Sequence, residues 1–219
     1  KALITDKNKH NMKRLISLFI TVICFSSLFS QSAKDVLDKT AAKIANSGSL
    51  KVSFTTTFYN GLKPNGNTNG TILLKGNKFK LTSREVSVWY DGKTEWSLVA
   101  GNNEVNVSTP SASEAAMMNP YTFTSLYKKG YNTSIKDTKY AGKPCKEAAL
   151  QAQNKGNQIQ RLLVIVDANY TPLNIRIKNK QGNWIRFAIT EFKPNQQVSN
   201  SAFRFNPKDF PNIEIIDLR

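Results

Sequence analysis

From Leu50 onward, apolar and polar residues alternate. Val52, Phe54, Thr56 and Phe58 fall on one side of an extended chain, with Lys51, Ser53, Thr55 and Thr57 on the other, the pattern of a strand buried on one face. Just before it the period is different. Ser32-Ala33-Lys34-Asp35 has the form of a capping box with Asp as its acidic member, and Val36, Leu37, Thr40, Ala41 and Ile44 follow at helical spacing. Residues 32–45 are therefore predicted as one amphipathic helix, stopped near Asn46 to Gly48. Residues 60–69, NGLKPNGNTN, are crowded with turn formers and are predicted as a loop between hairpin strands.

Beyond that loop, short apolar runs recur between turn signals: GTILLKG, KFKLTS, VSVWY, TEWSLV and NEVNVS, then SIKDTKY, PCKEAALQA, IQRLLVIVDA, PLNIRIKN and WIRFAITEF. Asp91-Gly92, Gly101-Asn102 and residues 179–183 mark hairpin turns. Roughly ten strands with no long crossover helix predict an antiparallel sheet of the barrel or sandwich type. One segment breaks the alternation: SEAAMMNPYTFTSLYKKGY, residues 113–131, gathers Met117, Met118, Tyr121, Phe123, Leu126 and Tyr127. A core helix explains part of it, but Asn119-Pro120 interrupts such a helix.

The N-terminal stretch MKRLISLFITVICFSSLFSQ, residues 12–31, has the three parts of a secretory leader: basic Lys13 and Arg14, an apolar run from Leu15 to Phe29, and small Ser30 at a cleavage edge. Serines interrupt the run, and it is shorter than the roughly 20 apolar residues that span a bilayer. Cys24 lies within it, but Ile23 stands where a lipoprotein peptidase requires a small residue. The expected organisation is an upstream non-native extension over 1–11, a signal peptide over 12–30 cleaved near Ser30/Gln31, and a single exported domain over 31–219.

Cleavage changes the available chemistry. The only histidine, His10, leaves with the leader, as does Cys24, so Cys145 is the one remaining thiol and an internal disulfide is excluded. Beyond the leader, 26 basic residues face 14 acidic ones, a charge of +12. No helix-turn-helix, RNP or zinc pattern accompanies the lysines, so the balance favours solubility and transient attraction to anionic membrane surfaces over nucleic acid.

Loss of histidine removes Ser-His-Asp and Cys-His catalysis and the commonest zinc ligand. Ser125-Leu126-Tyr127-Lys128 matches the S-x-x-K spacing of serine acyl enzymes, but neither S-D-N nor K-T-G is present. Asp91 and Glu95 flank a hairpin turn, where Asp serves the local backbone and Glu95 is expected to face water. Cys145 reads as a small buried hydrophobe in a strand. The chain has the character of a binder without catalytic residues, metal or cofactor.

A binder of apolar ligand needs an apolar surface that the protein does not fill itself. Candidates are Phe54, Phe58, Ile72, Leu74, Phe79, Leu81, Trp89 and Trp96, each of which also suits an ordinary core. The helix over 32–45 and the Met-rich segment are available to cover such a face, and methionine repacks around flexible chains at low cost.

The order of these features resembles the LolA family of periplasmic lipoprotein carriers. The residues that carry the likeness are Ser53-Phe54, the strand Gly70-Thr71-Ile72-Leu73-Leu74-Lys75, Lys78-Phe79, the run Asp91-Gly92-Lys93-Thr94-Glu95-Trp96, and an ending from Phe203-Arg204-Phe205 through Phe210-Pro211-Asn212-Ile213 to Asp217. The resemblance implies a mainly β fold: an open, incomplete antiparallel β-barrel, a half-barrel, whose concave apolar face is lidded by helices. It implies a monomer that takes acyl chains of lipoproteins from an inner-membrane releasing complex toward an outer-membrane acceptor.

In that frame residues 115–127 correspond to the lid, and Met117, Met118, Phe123 and Leu126 join the ligand-binding set. The family's arginine-bearing turn after the second strand reads Lys75-Gly76-Asn77 here, making Lys75 the candidate lid latch, although an ammonium lacks the directed hydrogen bonds of a guanidinium. The alternatives are a LolA-like envelope sensor or a carrier for another lipid or amphiphile, with a secreted hydrolase disfavoured by the missing acid-base groups.

Overall fold

The computed structural model describes residues 31–111 and 126–219. A helix, α1 (Ala33–Ala45), precedes twelve strands: β1 (Ser49–Asn60), β2 (Lys63–Lys75), β3 (Lys78–Ser83), β4 (Val86–Tyr90), β5 (Glu95–Val99), β6 (Glu104–Ser108), β7 (Tyr131–Tyr140), β8 (Lys143–Ala152), β9 (Ile159–Val166), β10 (Pro172–Asn179), β11 (Trp184–Lys193) and β12 (Glu214–Asp217). They form one sheet in the order β12-β6-β5-β4-β3-β2-β1-β11-β10-β9-β8-β7. The sheet is open, with β12 and β7 at its edges, and the fold is the half-barrel expected from the sequence.

The helix begins as predicted. Ser32 accepts from the Asp35 amide at 3.1 Å while its own amide donates to the Asp35 carboxylate at 3.1 Å. Ala33, Val36, Leu37 and Thr40 form its buried face, and the Thr40 hydroxyl is satisfied by the Val36 carbonyl at 2.8 Å. Burying Val36 and Leu37 completely stabilises the docked helix by about 1.5–3 kcal/mol each.

Two sequence expectations need correction. Residues 60–69 are not a loop: β1 and β2 pair out to Asn60 and Lys63, leaving Gly61 and Leu62 as the turn. Gly61 at φ +60° supplies the left-handed first position that such a two-residue turn requires. The segment is polar because both faces of this protruding ribbon are wet, and pairing with β1 overrides its turn composition. The second correction is the strand count and sense. A twelfth strand, β12, runs parallel to β6, and the long connection over residues 194–213 carries the chain there from β11, past β1–β5 in the sheet order.

Strand parity divides the core in two. The face that packs α1, called inner here, carries the main cluster, including Leu50, Val52, Phe54, Ile72, Leu74, Phe79, Val88 and Tyr90 from β1–β4 and Ala148, Leu150, Leu162, Val164 and Ile175 from β8–β10. On the outer face of β4–β6 a second cluster joins Trp89, Val105 and Val107 to Phe205, with Trp96, Leu98, Phe210 and Ile213 packed on it. The C-terminal connection thus covers the outer face of β4–β6. Phe205 stacks on Phe210 at 5.1 Å and meets Trp89 edge-on at 5.5 Å, and Arg204 pins the crossing by pairing with Asp91 at 2.8 Å.

Two devices keep the inner face continuous. β11 carries one extra residue where Ser53 faces Glu191 and Phe54 faces Ile189, so Phe192 and Ile189 both lie on the inner side opposite Val52 and Phe54. Gly70 lies directly opposite Phe54, whose ring rests on its bare backbone: a Cβ there would come within 2.6 Å of the ring. Gly70→Ala is expected to lose about 1–3 kcal/mol in chemical denaturation, and markedly less in a Phe54→Leu background. Equal losses in both backgrounds would mean that the ring does not set the cost.

Candidate functional site

The inner face is a ladder of apolar rows fixed by strand register. One row passes through Leu50, Leu74, Phe79 and Tyr90, and a second through Val52, Ile72, Leu81 and Val88. Across β1 the rows continue as Thr56, Phe187, Ile175, Val164, Ala148 and Ile135, and as Phe58, Ile185, Ile177, Leu162 and Leu150. Phe54 meets Phe187 edge-to-face at 5.6 Å and joins the two halves. The apolar surface stops at β5, where Tyr90 is followed by Glu95 and Val88 by Ser97.

Burial along this surface is uneven. Ile72, Val52, Ile175 and Val164 are fully buried, whereas Leu81, Val86, Ile177, Phe187, Ile189 and Phe192 are only half-buried, and Phe58 remains 41% exposed. The described residues off the sheet that pack on this cluster come from α1, from Leu126 and Tyr127, and from Tyr170. A sheet face this wide presents more apolar side chains than one four-turn helix stripe can meet.

Polar contacts position the helix over the face. The Tyr127 hydroxyl donates to the Asp38 carboxylate, tying the end of the Met-rich segment to α1. Lys39 donates to the Tyr170 hydroxyl at 3.1 Å, with its ammonium 5.0 Å from the ring centre. Burial, together with the hydrogen bond to Asp38 and that residue's negative charge, pushes the Tyr127 phenol up to about 12.

The structure brings Phe54, Phe58, Ile72, Leu74, Phe79 and Leu81 onto the inner face, with Leu126 half-buried against its cluster. Trp89 and Trp96 are not with them. They face each other across β4 and β5 on the outer side, under the C-terminal connection, because Trp89 has the opposite parity to Val88 and Tyr90. Met117, Met118 and Phe123 lie outside the described residues, as does the leader. Lys75 donates to the Val198 carbonyl at 3.0 Å, and so holds the start of the C-terminal connection on the outer side.

Glu95, expected in water, is 4% exposed on the inner side, since its register opposite Tyr90 and Ser108 turns it inward. Asp91 does serve its turn, accepting from the Lys93 and Thr94 amides at 3.1 and 2.9 Å. Cys145 is a buried free thiol on β8. No cluster of candidate metal ligands occurs among the described residues.

Sequence reasoning chose candidates only from the first half of the sheet and missed Ile175, Ile177, Ile185, Phe187 and Ile189. Their signal was available in the alternation of PLNIRIKN and WIRFAITEF.

Comparison with known proteins locates this architecture. The model of a protein family described as outer membrane lipoprotein carrier protein LolA matches residues 25–181, leaving β11, the C-terminal connection and β12 outside the match. No curated protein sequence matches the chain. Among solved structures, an uncharacterized conserved protein from Thermus thermophilus superposes with a TM-score of 0.57 at 10% identity, covering 85% of this chain and 99% of that one. A LolA superfamily protein from Nitrosomonas europaea gives 0.44 at 12% identity, covering 80% and 99%. A DUF1329 family protein from Desulfovibrio piger gives 0.45 at 12%, covering 80% and 98%.

The Tyr127 contact has a pH signature. A phenol whose folded pKa is raised from 10.0 to about 12 contributes stability that is fully present below pH 10 and is lost as pH rises through 12. Denaturation titrations are expected to show that decline in the native chain and a shallower one in Tyr127→Phe. Identical slopes above pH 10 would contradict the contact.

Proposed function

The chain belongs to the LolA family of outer membrane lipoprotein carrier proteins, and on that premise we propose that it carries the acyl chains of lipoproteins across the periplasm on the inner face of its half-barrel. The observation that supports this reading most is the uneven burial of that face: a continuous apolar surface across β1–β4 and β8–β11 on which Leu81, Ile177, Phe187 and Ile189 stay half-buried. In a core that serves folding alone, such side chains are packed to crystal-like density.

The mechanism is exchange without covalent chemistry. Acyl methylenes replace water against Leu81, Phe187, Ile177 and Phe58, at about 0.8 kcal/mol for each methylene buried. Release has to compete with that gain, so the face works best when its ligand is held by dispersion and water exclusion, without directed bonds. Residues 115–127 are the proposed gate, with α1 as the fixed part of the cover, since Val36 and Leu37 are fully buried. Met117, Met118, Phe123 and Leu126 would contact cargo as well as the sheet.

The donor is a membrane complex that offers the acylated N-terminus of a lipoprotein, and the destination is the outer membrane. The positive charge favours transient contact with anionic surfaces at both ends of the route. Export through a leader over 12–30 places the mature domain, residues 31–219, in the periplasm.

A charge placed on a half-buried inner-face position separates a binding surface from a core. Phe187→Glu is expected to lose uptake of a fluorescent fatty-acyl probe while its melting temperature stays within several degrees of the native protein, because the carboxylate reaches water. Probe uptake equal to that of the native protein would remove the inner face as the binding surface, and unfolding of the variant would assign Phe187 to ordinary core.

A further inference from the structure

The outer face of β7–β11 holds a hollow of about 530 Å³, on the side of the sheet away from α1. Its walls come from Thr138 and Tyr140 on β7, Glu147 on β8, Asn174 and Arg176 on β10, and Trp184 and Arg186 on β11, with Tyr59 and Leu62 from the β1–β2 ribbon at its rim. The volume falls in the range of small-molecule sites, roughly 300–1,000 Å³. Leu62 at the turn is 86% exposed.

The charge arrangement is unusual for a sheet surface. Arg176 and Arg186 stand directly opposite each other on β10 and β11, a like-charge pair that disfavours pairing. Glu147, 7% exposed, compensates only part of this. Its two oxygens are taken by Arg176 at 3.4 Å and Lys136 at 3.1 Å. The Arg186 guanidinium donates to the Tyr140 hydroxyl at 3.4 Å, which also accepts from Asn174 at 3.5 Å. Lys136 and Arg176 therefore share one carboxylate, and Arg186 stands beside them without pairing to it.

The cations stand beside aromatic surface. Trp184 lines the hollow with its ring 5.8 Å from the Arg176 guanidinium, and Tyr59 and Tyr140 line it as well. We propose that this hollow is a binding site, separate from the inner face, for a small ligand that carries a carboxylate or phosphate on a flat apolar body. The anion sits between Arg176 and Arg186, where it offsets their repulsion and receives directed hydrogen bonds from the planar forks. The body stacks among Trp184, Tyr59 and Tyr140 beneath the β1–β2 turn. An inorganic anion alone would leave most of the volume and all of the aromatic surface unused.

The site is tested on the full mature chain by calorimetric titration at low salt with phenyl phosphate and with benzoate, inorganic phosphate serving as the comparison. At least one aromatic probe is expected to bind below about 10 mM, more tightly than inorganic phosphate, and which one binds distinguishes a phosphate from a carboxylate ligand. Arg186→Gln is expected to weaken that binding roughly tenfold or more, as loss of a charged hydrogen bond does, and Arg186→Lys to weaken it less. Both are expected to leave uptake of the fatty-acyl probe at the native level, which also serves as their folding control. Failure of both aromatic probes to bind by about 10 mM, binding no tighter than inorganic phosphate, or unchanged affinity in the two Arg186 variants would each overturn the proposal.

Discussion

The structure depends on one constraint: an apolar sheet face must be shielded from water, and this face is wider than the helix that packs on it. Ordered as they are, β1–β4 and β8–β11 present two long apolar rows on each side of Phe54, while α1 offers Ala33, Val36, Leu37 and Ile44 in return. At roughly 25 cal/mol per Å² of apolar surface, whatever completes the cover gains substantial free energy. The proposed carriage rests on that mismatch, because a face that the described residues leave half-buried offers room for cargo.

The same constraint explains why the sheet carries its irregularities where it does. The extra residue in β11 and the bare backbone at Gly70 both lie beside Phe54, where the two halves of the inner face meet. Without them Phe192 would change sides and the Phe54 ring would lose its seat. On the outer side the C-terminal connection solves a separate problem, covering Trp89 and Val107 with Phe205 and Phe210, and Arg204 and Lys75 fix its course. The C-terminal connection thus lies on the face opposite to the one that packs α1.

Much of this was legible in the chain. The capping box Ser32–Asp35, the alternation from Val52 to Phe58 and the turn chemistry at Asp91 are local signals with local causes. What was not legible depends on pairing between distant residues. VSVWY is apolar on both faces, so its alternation does not say which side Trp89 takes, and only the C-terminal connection decides. Residues 60–69 read as loop because turn formers dominate them, while their pairing comes from β1. Glu147, Arg176 and Arg186 are separated along the chain and meet only through the registers of β8 to β11. Glu95 looked exposed because a carboxylate beside a turn usually is, and its parity places it inside.

The carrier reading is tested most directly by native mass spectrometry of the protein purified gently from its own cell envelope. A carrier of lipoprotein acyl chains is expected to appear with a population heavier than the bare chain, whose added mass is released by detergent as acylated peptide or protein. A bare mass throughout, in protein that also fails to take up acylated peptide added afterwards, would contradict the claim that the inner face is built to hold cargo.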